Sequence, residues 1–227
     1  MNYFESGVMP FNWQTKNTEL VWSGMDNAET LANHPQRDFW TKIAISYKYN
    51  AQGFRTYQLE DYLDKTVDIA LGCSFTEGVA MPIESVWTSL IEKQTTIPML
   101  NLGVGSGTTD TVARILTNIA PLFKINNVYI LWPRIERFEI YYDTWIETIY
   151  PMNAQEQHVW AMEQAHAQNR YLKNKQMVKL LAEKYNFSII EREVNEFFYN
   201  QVDTARDNTH FGYQTNRNVA ESFLTTK

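Results

Sequence analysis

The sequence is poor in the residues that mark disulfide-stabilised and nucleic-acid-binding proteins. Cysteine occurs once in 227 residues, as Cys73, so the chain cannot close an internal disulfide. Its 20 Lys and Arg residues against 26 Asp and Glu residues give a net charge of −6, and no basic cluster exceeds a pair. Because phosphate contacts need concentrated positive charge, we expect no nucleic-acid partner.

Long apolar runs and targeting signals are also missing. No apolar stretch approaches the ~18 residues of a membrane span, so no membrane partner is expected. The first residues, MNYFESGVMPFNW, lack a basic region followed by an apolar one, so we expect no signal peptide. These absences are compatible with a cytoplasmic location, and the single cysteine permits a reducing compartment without requiring one.

The composition nevertheless provides for a sizeable core. Hydrophobic residues make up 44% of the chain, while only 7 Pro and 9 Gly residues are present, which argues against general disorder. Aromatic residues reach 14%. This content is compatible either with large apolar clusters or with a stacking surface for flat ligands such as sugars.

The chain divides near residue 60 into an irregular extension and a regular domain. Residues 1–60 show no long periodic pattern, and we expect them to form an extension with a short helix or strand, packed on the domain of residues 61–227. Beyond residue 66, short apolar runs alternate with segments of helical periodicity. The predicted strands are 67–71, 97–102, 127–132 and 187–190, and the predicted helices are 82–94, 109–120, 155–185 and 212–224. This alternation predicts an α/β fold with a parallel sheet covered on both faces.

Three segments follow predicted strands and are expected to meet at one edge of that sheet, namely Ser74, the Gly103–Gly107 loop and Pro133–Arg137. Ser74 follows the first strand and is compatible with a turn residue, a helix cap or a nucleophile. Serine needs a base, and Asp207, three residues before His210, could orient that imidazole toward the serine or simply cap a surface turn. The glycine-rich loop 103–107 is either a flexible turn or an oxyanion hole, and it does not match a dinucleotide-binding motif. No cofactor is therefore expected.

Taken together in their order, the blocks GCSFTEG, NLGVGSG and DNTH resemble those of the SGNH (GDSL-type) hydrolase family. The resemblance extends from about residue 66 to the end and implies a three-layer α/β/α flavodoxin-like fold and an esterase activity. It implies that Ser74 is the nucleophile and that Asp207 and His210 complete a catalytic triad. It also implies two oxyanion donors, the N–H of Ser74 and an N–H in the Gly105–Ser106 loop.

The chain departs from the family pattern at three places. Cys73 stands where the family usually has Asp, and Ser106 stands where the second block usually has Gly. After the third strand, LWPRIER replaces the usual G-x-N-D, so the Asn side-chain donor is missing. The loss of one such donor typically costs 10²–10³ in rate.

Two arginines in the segment LWPRIER are candidates to replace the missing Asn donor. Arg134 or Arg137 could act as a substrate-binding donor, which would favour an acidic substrate. The alternative is that these arginines form surface salt bridges with Glu136 and Glu139.

The function that these patterns predict is a serine esterase that cleaves an O-acyl ester, with a small or carbohydrate ester favoured. A catalytically weakened module that binds glycans or builds an assembly is the alternative, because the Asn donor is missing. Glu163 and His166 form a lone E-x-x-H, whereas di-iron bundles need two such motifs, so no metal site is expected. The oligomeric state is left open.

Overall fold

The computed structural model describes residues 16–142, 146–151 and 153–225. The strands are β1 (Glu19–Leu20), β2 (Tyr47–Lys48), β3 (Thr66–Leu71), β4 (Met99–Asn101), β5 (Lys124–Trp132), β6 (Phe138–Tyr141), β7 (Ile146–Ile149) and β8 (Ser188–Glu193). The helices are α1 (Ala28–Ala32), α2 (Arg37–Trp40), α3 (Ser74–Glu77), α4 (Trp87–Thr95), α5 (Thr109–Ile119), α6 (Val159–Met162), α7 (Gln164–Tyr185), α8 (Val194–Phe198) and α9 (Tyr213–Leu224).

A parallel sheet of four strands in the order β4-β3-β5-β8 forms the centre of the molecule. Numbered along the chain, these strands lie in the order 2-1-3-4, which is the start of the flavodoxin order. In that topology the ligand crevice opens where the strand order reverses, beyond the carboxyl ends of the two central strands. These are β3, which leads to Ser74, and β5, which leads to residues 133–137.

Side chains alternate between the two faces of the sheet, and each face is covered by helices. On β3, Ile69 and Leu71 join the core beneath α5 and α7, whereas Ala70 joins the core beneath α4 and α9. Tyr129 and Leu131 of β5 face α4 and α9 in the same way. Because successive residues of a strand point to opposite faces, this register gives two apolar cores. The predicted three-layer α/β/α fold is thus confirmed.

Part of the N-terminal region also packs on this domain. Trp40 and Tyr47 are fully buried and belong to the core beneath α4 and α9. The strands β1 and β2 pair with each other in antiparallel fashion and not with the central sheet. The residues before Lys16 lie outside the described part of the chain, so the division at residue 60 remains a prediction.

The predicted helix 82–94 begins later than expected. Residues Ile83–Ser85 form a 3₁₀ turn, Val86 is extended, and α4 starts at Trp87. The Trp87 N–H donates to Asn216 Oδ1 of α9 at 3.0 Å, so a residue distant in sequence caps the helix. Local periodicity carries no information about such a partner.

Several other boundaries differ from the predictions. The predicted helix 155–185 is a 3₁₀ turn, α6 and α7, broken at Glu163, whose ψ of 140° is not helical. The predicted strand 187–190 extends to Glu193, because it pairs with β5 as far as Trp132. The antiparallel pair β6–β7 was not predicted, and it packs with Ala161 of α6 in a small separate core.

Candidate active site

Ser74 occupies a sharp turn between β3 and α3. Cys73 is extended, with φ −102° and ψ −153°, and Ser74 is the first residue of the helix. A Cβ on Gly72 would lie 2.2 Å from Thr76 Oγ1 and 2.7 Å from the Leu131 carbonyl, so only glycine fits there. The turn therefore presents the Ser74 hydroxyl beyond the carboxyl end of the sheet.

Ser74, His210 and Asp207 lie within hydrogen-bond distance of one another in series. Ser74 Oγ is 2.7 Å from His210 Nε2, and His210 Nδ1 is 2.5 Å from Asp207 Oδ2. Because a carboxylate only accepts, Nδ1 carries the proton and Nε2 offers its lone pair to the serine hydroxyl. The structure thus brings together the three residues that the sequence singled out, with the imidazole between the serine hydroxyl and the carboxylate.

Asp207 is held in its ionised form. Burial alone would raise its pKa, but the hydrogen bond and charge of His210, together with the backbone N–H groups of His210 and Thr209, lower the pKa below its ordinary value. These two N–H groups donate to Asp207 Oδ1 at 3.0 and 3.1 Å. The carboxylate is therefore fixed by three donors and is available to stabilise an imidazolium.

The loop that carries Asp207 and His210 is braced by the N-terminal region. The Arg206 guanidinium donates to both carboxylate oxygens of Asp26, at 2.8 and 2.6 Å. His34 Nε2 lies 3.0 Å from the Ala205 carbonyl. Sequence reasoning missed the bracing role of Asp26, His34 and Arg206, because no local motif marks contacts that span 171 to 180 positions.

The glycine-rich loop packs directly against the turn of Ser74. Val104 N–H donates to the Gly72 carbonyl at 3.2 Å, and Gly107 N–H donates to the Val104 carbonyl at 2.8 Å, which closes a tight turn. A Cβ on Gly107 would lie 3.0 Å from the Gly72 carbonyl. Ser106, the third residue of that turn, has a φ of 59°, a conformation that glycine adopts more readily.

The backbone N–H groups of Ser74 and Ser106 have no acceptor in the described part of the chain. Gly105, which was predicted together with Ser106, is different. Its N–H faces the buried carboxylate of Glu77 and lowers the pKa of that group against the effect of burial. Of the two loop residues, Ser106 is thus the one whose N–H does not face the Glu77 carboxylate.

Arg134 and Arg137 follow β5 but do not form the salt bridges considered from the sequence. Glu139 instead pairs with Arg114 at 2.7 Å. Within the described ranges neither Arg134 nor Arg137 forms an ion pair. Both residues are half-buried. Each therefore carries a positive charge at this edge that no carboxylate of the described residues neutralises.

An aromatic series connects Arg134 to the imidazole. The Arg134 guanidinium lies 4.5 Å from the centre of the Phe198 ring. Phe198 packs edge-on against Phe75 at 5.8 Å, and the Phe75 ring lies 4.7 Å from the His210 ring. Cation–π contact with Phe198 fixes the guanidinium without neutralising it.

The other candidate groups take no part in this arrangement. Cys73 is buried, and burial raises the pKa of its thiol, so it is not a reactive thiolate. His166 packs edge-on against Trp160 at 5.4 Å. Among the described residues, no group of three or more His, Cys, Asp or Glu side chains could hold a metal ion. No helix in the same part of the chain has the length and apolarity to cross a membrane.

The fold and the site together define an α/β protein with a Ser-His-Asp arrangement at the carboxyl edge of a parallel sheet. No protein-family model and no curated protein matches the chain. Several solved structures are similar to it, and they include members of the G-D-S-L family, the family that the sequence blocks resemble.

One of them is a member of the lipolytic protein G-D-S-L family from Veillonella parvula, with 11% identity and a TM-score of 0.39, covering 71% of this chain and 97% of that chain. A lipase/acylhydrolase from Enterococcus faecalis has 12% identity and a TM-score of 0.37, covering 70% and 93%. The protein TesA has 12% identity and a TM-score of 0.40, covering 70% and 96%. At these values the function has to be argued from the site alone.

Proposed function

We propose that this protein is a serine hydrolase that cleaves an O-acyl ester through an acyl-enzyme intermediate. The observation that carries the proposal is the serial contact of Ser74 Oγ with His210 Nε2 and of His210 Nδ1 with Asp207. A serine hydroxyl is a weak nucleophile unless a positioned base accepts its proton, and this contact supplies the base.

The reaction proceeds in two balanced halves. Ser74 Oγ attacks the ester carbonyl carbon while its proton moves to His210 Nε2, and the bond between this carbon and the alcohol oxygen then breaks as His210 returns the proton to the leaving alcohol. Water then attacks the acyl carbon while one of its protons moves to His210 Nε2; the bond between this carbon and Ser74 Oγ breaks, His210 returns the proton to Ser74 Oγ, and the acid is released. Asp207 stabilises the imidazolium in both halves.

The oxyanion of each tetrahedral intermediate requires donors at the edge of the sheet. The N–H groups of Ser74 and Ser106 suit this role, because neither has an acceptor in the residues described. Arg134 and Arg137 stand after β5, where the resembled family has its Asn donor. We assign them to the binding of the substrate, with a preference for an ester that carries a negative charge.

The substrate class follows from the same edge. We favour a small or carbohydrate ester, because the sequence has no long apolar stretch that would form a lipid-binding lid. The alternative of a catalytically weakened, glycan-binding module gains no support from the Ser74–His210 contact, since a relaxed site would not need to keep that distance at 2.7 Å.

The direct test compares p-nitrophenyl acetate hydrolysis by the wild-type protein, Ser74→Ala and Ser85→Ala. Ser85 lies in the 3₁₀ turn before α4 and serves as the matched control. We expect Ser74→Ala to abolish hydrolysis and labelling by a fluorophosphonate, and Ser85→Ala to retain both. Equal rates for the wild-type protein and Ser74→Ala, or labelling at another residue, would contradict the proposal.

A further inference from the structure

Glu77 is a buried carboxylate next to the site, and it has no part in the reaction as written above. It ends α3, three residues after Ser74, and only 5% of its surface is exposed. The Tyr49 hydroxyl donates to Glu77 Oε1 at 2.5 Å. Burying a carboxylate is costly unless its oxygens accept hydrogen bonds, so the second oxygen also needs a partner.

The glycine-rich loop approaches that second oxygen. Gly105 N–H faces the Glu77 carboxylate, and a Cβ on Gly105 would lie 3.2 Å from Glu77 Oε2. A Cβ on Gly103 would lie 2.4 Å from the Glu77 backbone nitrogen, so the loop rests on this residue at two points. Glycine at both positions permits this close approach.

The charges around Glu77 belong to groups on several elements. Burial raises the pKa of its carboxyl, while the Tyr49 hydrogen bond, the charges of Arg55 and His210, and the Gly105 N–H oppose that rise. Arg55 does not bind the carboxylate directly, because its guanidinium donates to the carbonyls of Ser46, Gly78 and Met81. The Tyr49 hydroxyl is therefore the hydrogen-bond donor that fixes the orientation of the carboxylate, and Gly105 lies against its second oxygen.

We infer that Glu77, held by Tyr49, is a positioning residue that sets the orientation of the Gly105–Ser106 turn and so aims the Ser106 N–H at the oxyanion. The inference rests on the proposed function. The carboxylate lies against Gly105, and the hydrogen bond from Gly107 N–H to the Val104 carbonyl closes the turn, so these contacts together limit rotation of the peptide that carries the Ser106 N–H. The Tyr49–Glu77 pair thus links the N-terminal region to the reacting atoms without touching the substrate.

The chain contains a matched pair for the experiment. Tyr57 donates its hydroxyl to Glu92 Oε1 at 2.9 Å, and the same oxygen accepts the Met99 N–H at 3.3 Å. This second set has the same chemistry as the Tyr49–Glu77 set but holds an edge strand of the sheet and not the glycine-rich loop. Tyr57→Phe and Glu92→Gln therefore control for the loss of a tyrosine hydroxyl that donates to a carboxylate and for the loss of that carboxylate.

The experiment measures kcat and KM for p-nitrophenyl acetate in Tyr49→Phe, Glu77→Gln and the two controls, each normalised to the active fraction titrated with a fluorophosphonate. An oxyanion donor acts mainly in the transition state, so we expect kcat to fall at least about tenfold in Tyr49→Phe and Glu77→Gln with little change in KM. The rate constant for fluorophosphonate labelling should fall in parallel. The controls should retain the wild-type kcat.

The outcomes separate this inference from the proposed function. An inactive wild-type protein would refute the proposed function itself. An active wild-type protein whose kcat per titrated site is unchanged in both variants would refute the positioning role, even if their melting temperatures fell. Equal losses of kcat in the Tyr57 and Glu92 controls would also refute it, since the effect would then be a general one.

Discussion

The backbone at Ser106 permits a prediction about stability that can be worked out from the structure. Its φ of 59° lies in the left-handed region, which costs a non-glycine residue about 1–2 kcal/mol. Ser106 is exposed, so replacement by glycine removes no packing. Glycine also makes the unfolded chain more flexible, and this effect lowers the free energy of unfolding by about 0.4–1 kcal/mol. We therefore expect Ser106→Gly to raise the free energy of unfolding by about 0.5–1 kcal/mol.

The assay for this prediction is thermal unfolding with matched variants. For a chain of this length, 1 kcal/mol corresponds to about 2–4 °C in Tm, so Ser106→Gly should melt about 1–4 °C above the wild-type protein. Thr96, which is exposed at the C-terminus of α4 and has a φ of 59°, is the positive control. Thr96→Gly should also have a higher Tm than the wild-type protein. Ala80→Gly should gain less or lose, because Ala80 has a φ of 62° but is fully buried and gives up a packed methyl group.

The comparison can refute the reasoning directly. A lower Tm for Ser106→Gly than for the wild-type protein, together with a higher Tm for Thr96→Gly, would mean that the Ser106 side chain makes a stabilising contact. Hydrolysis measured on the same samples tests whether the backbone N–H of Ser106, and not its hydroxyl, is the oxyanion donor. Since the proposed donor is the backbone N–H, a loss of kcat as large as that expected on removal of a donor would assign the role to the hydroxyl instead.

Three further predictions concern the site. Asp207→Asn should lower kcat by about 10⁴ while the fold is retained, because the amide favours the wrong tautomer of His210, and an unchanged kcat would remove Asp207 from the mechanism. Arg134→Gln should reduce kcat/KM for a p-nitrophenyl ester with a terminal carboxylate more than for the neutral acetate, and equal losses would argue against an anion preference. Burial raises the pKa of Glu77, so above the ordinary glutamate pKa of about 4.3 this group binds more protons in the folded protein than in the unfolded protein. The stability of the wild-type protein relative to Glu77→Gln should therefore fall as pH rises from about 4.3. Urea unfolding at several pH values tests this, and a rising difference would contradict it.

The layered fold could be predicted because its signals are local. The short apolar run on β3 reflects burial on both faces of the strand, and the period of about four on α5 reflects burial on one face of the helix, so short stretches of sequence record this burial. The capping of α5 is similarly local, since Thr108 accepts the N–H groups of Asp110 and Thr111 within one turn. The three blocks around the site were also compact enough to be found along the chain.

The remainder could not be predicted because it depends on contacts between distant segments. Nothing near Glu139 indicates that it pairs with Arg114 and not with the arginines close to it in sequence. Tyr49 and Glu77 are separated by 28 positions, and neither lies in a motif that marks a hydrogen bond between them. Burial decides which acceptors need a donor, and burial of a polar group follows from the finished fold and not from its neighbours in sequence.

The braced loop of Asp207 and His210 also has a consequence for the order in which the protein acquires its reactivity. The base lies 136 positions after the serine, and Arg206 lies 180 positions after Asp26. At roughly 5–20 residues per second, a ribosome exposes Ser74 several seconds or more before residues 206–210. Throughout that interval the nascent chain carries an unactivated hydroxyl. In the proposed mechanism, Ser74 thus gains its base only after residues 206–210 have been synthesised and the two distant segments of the chain have met.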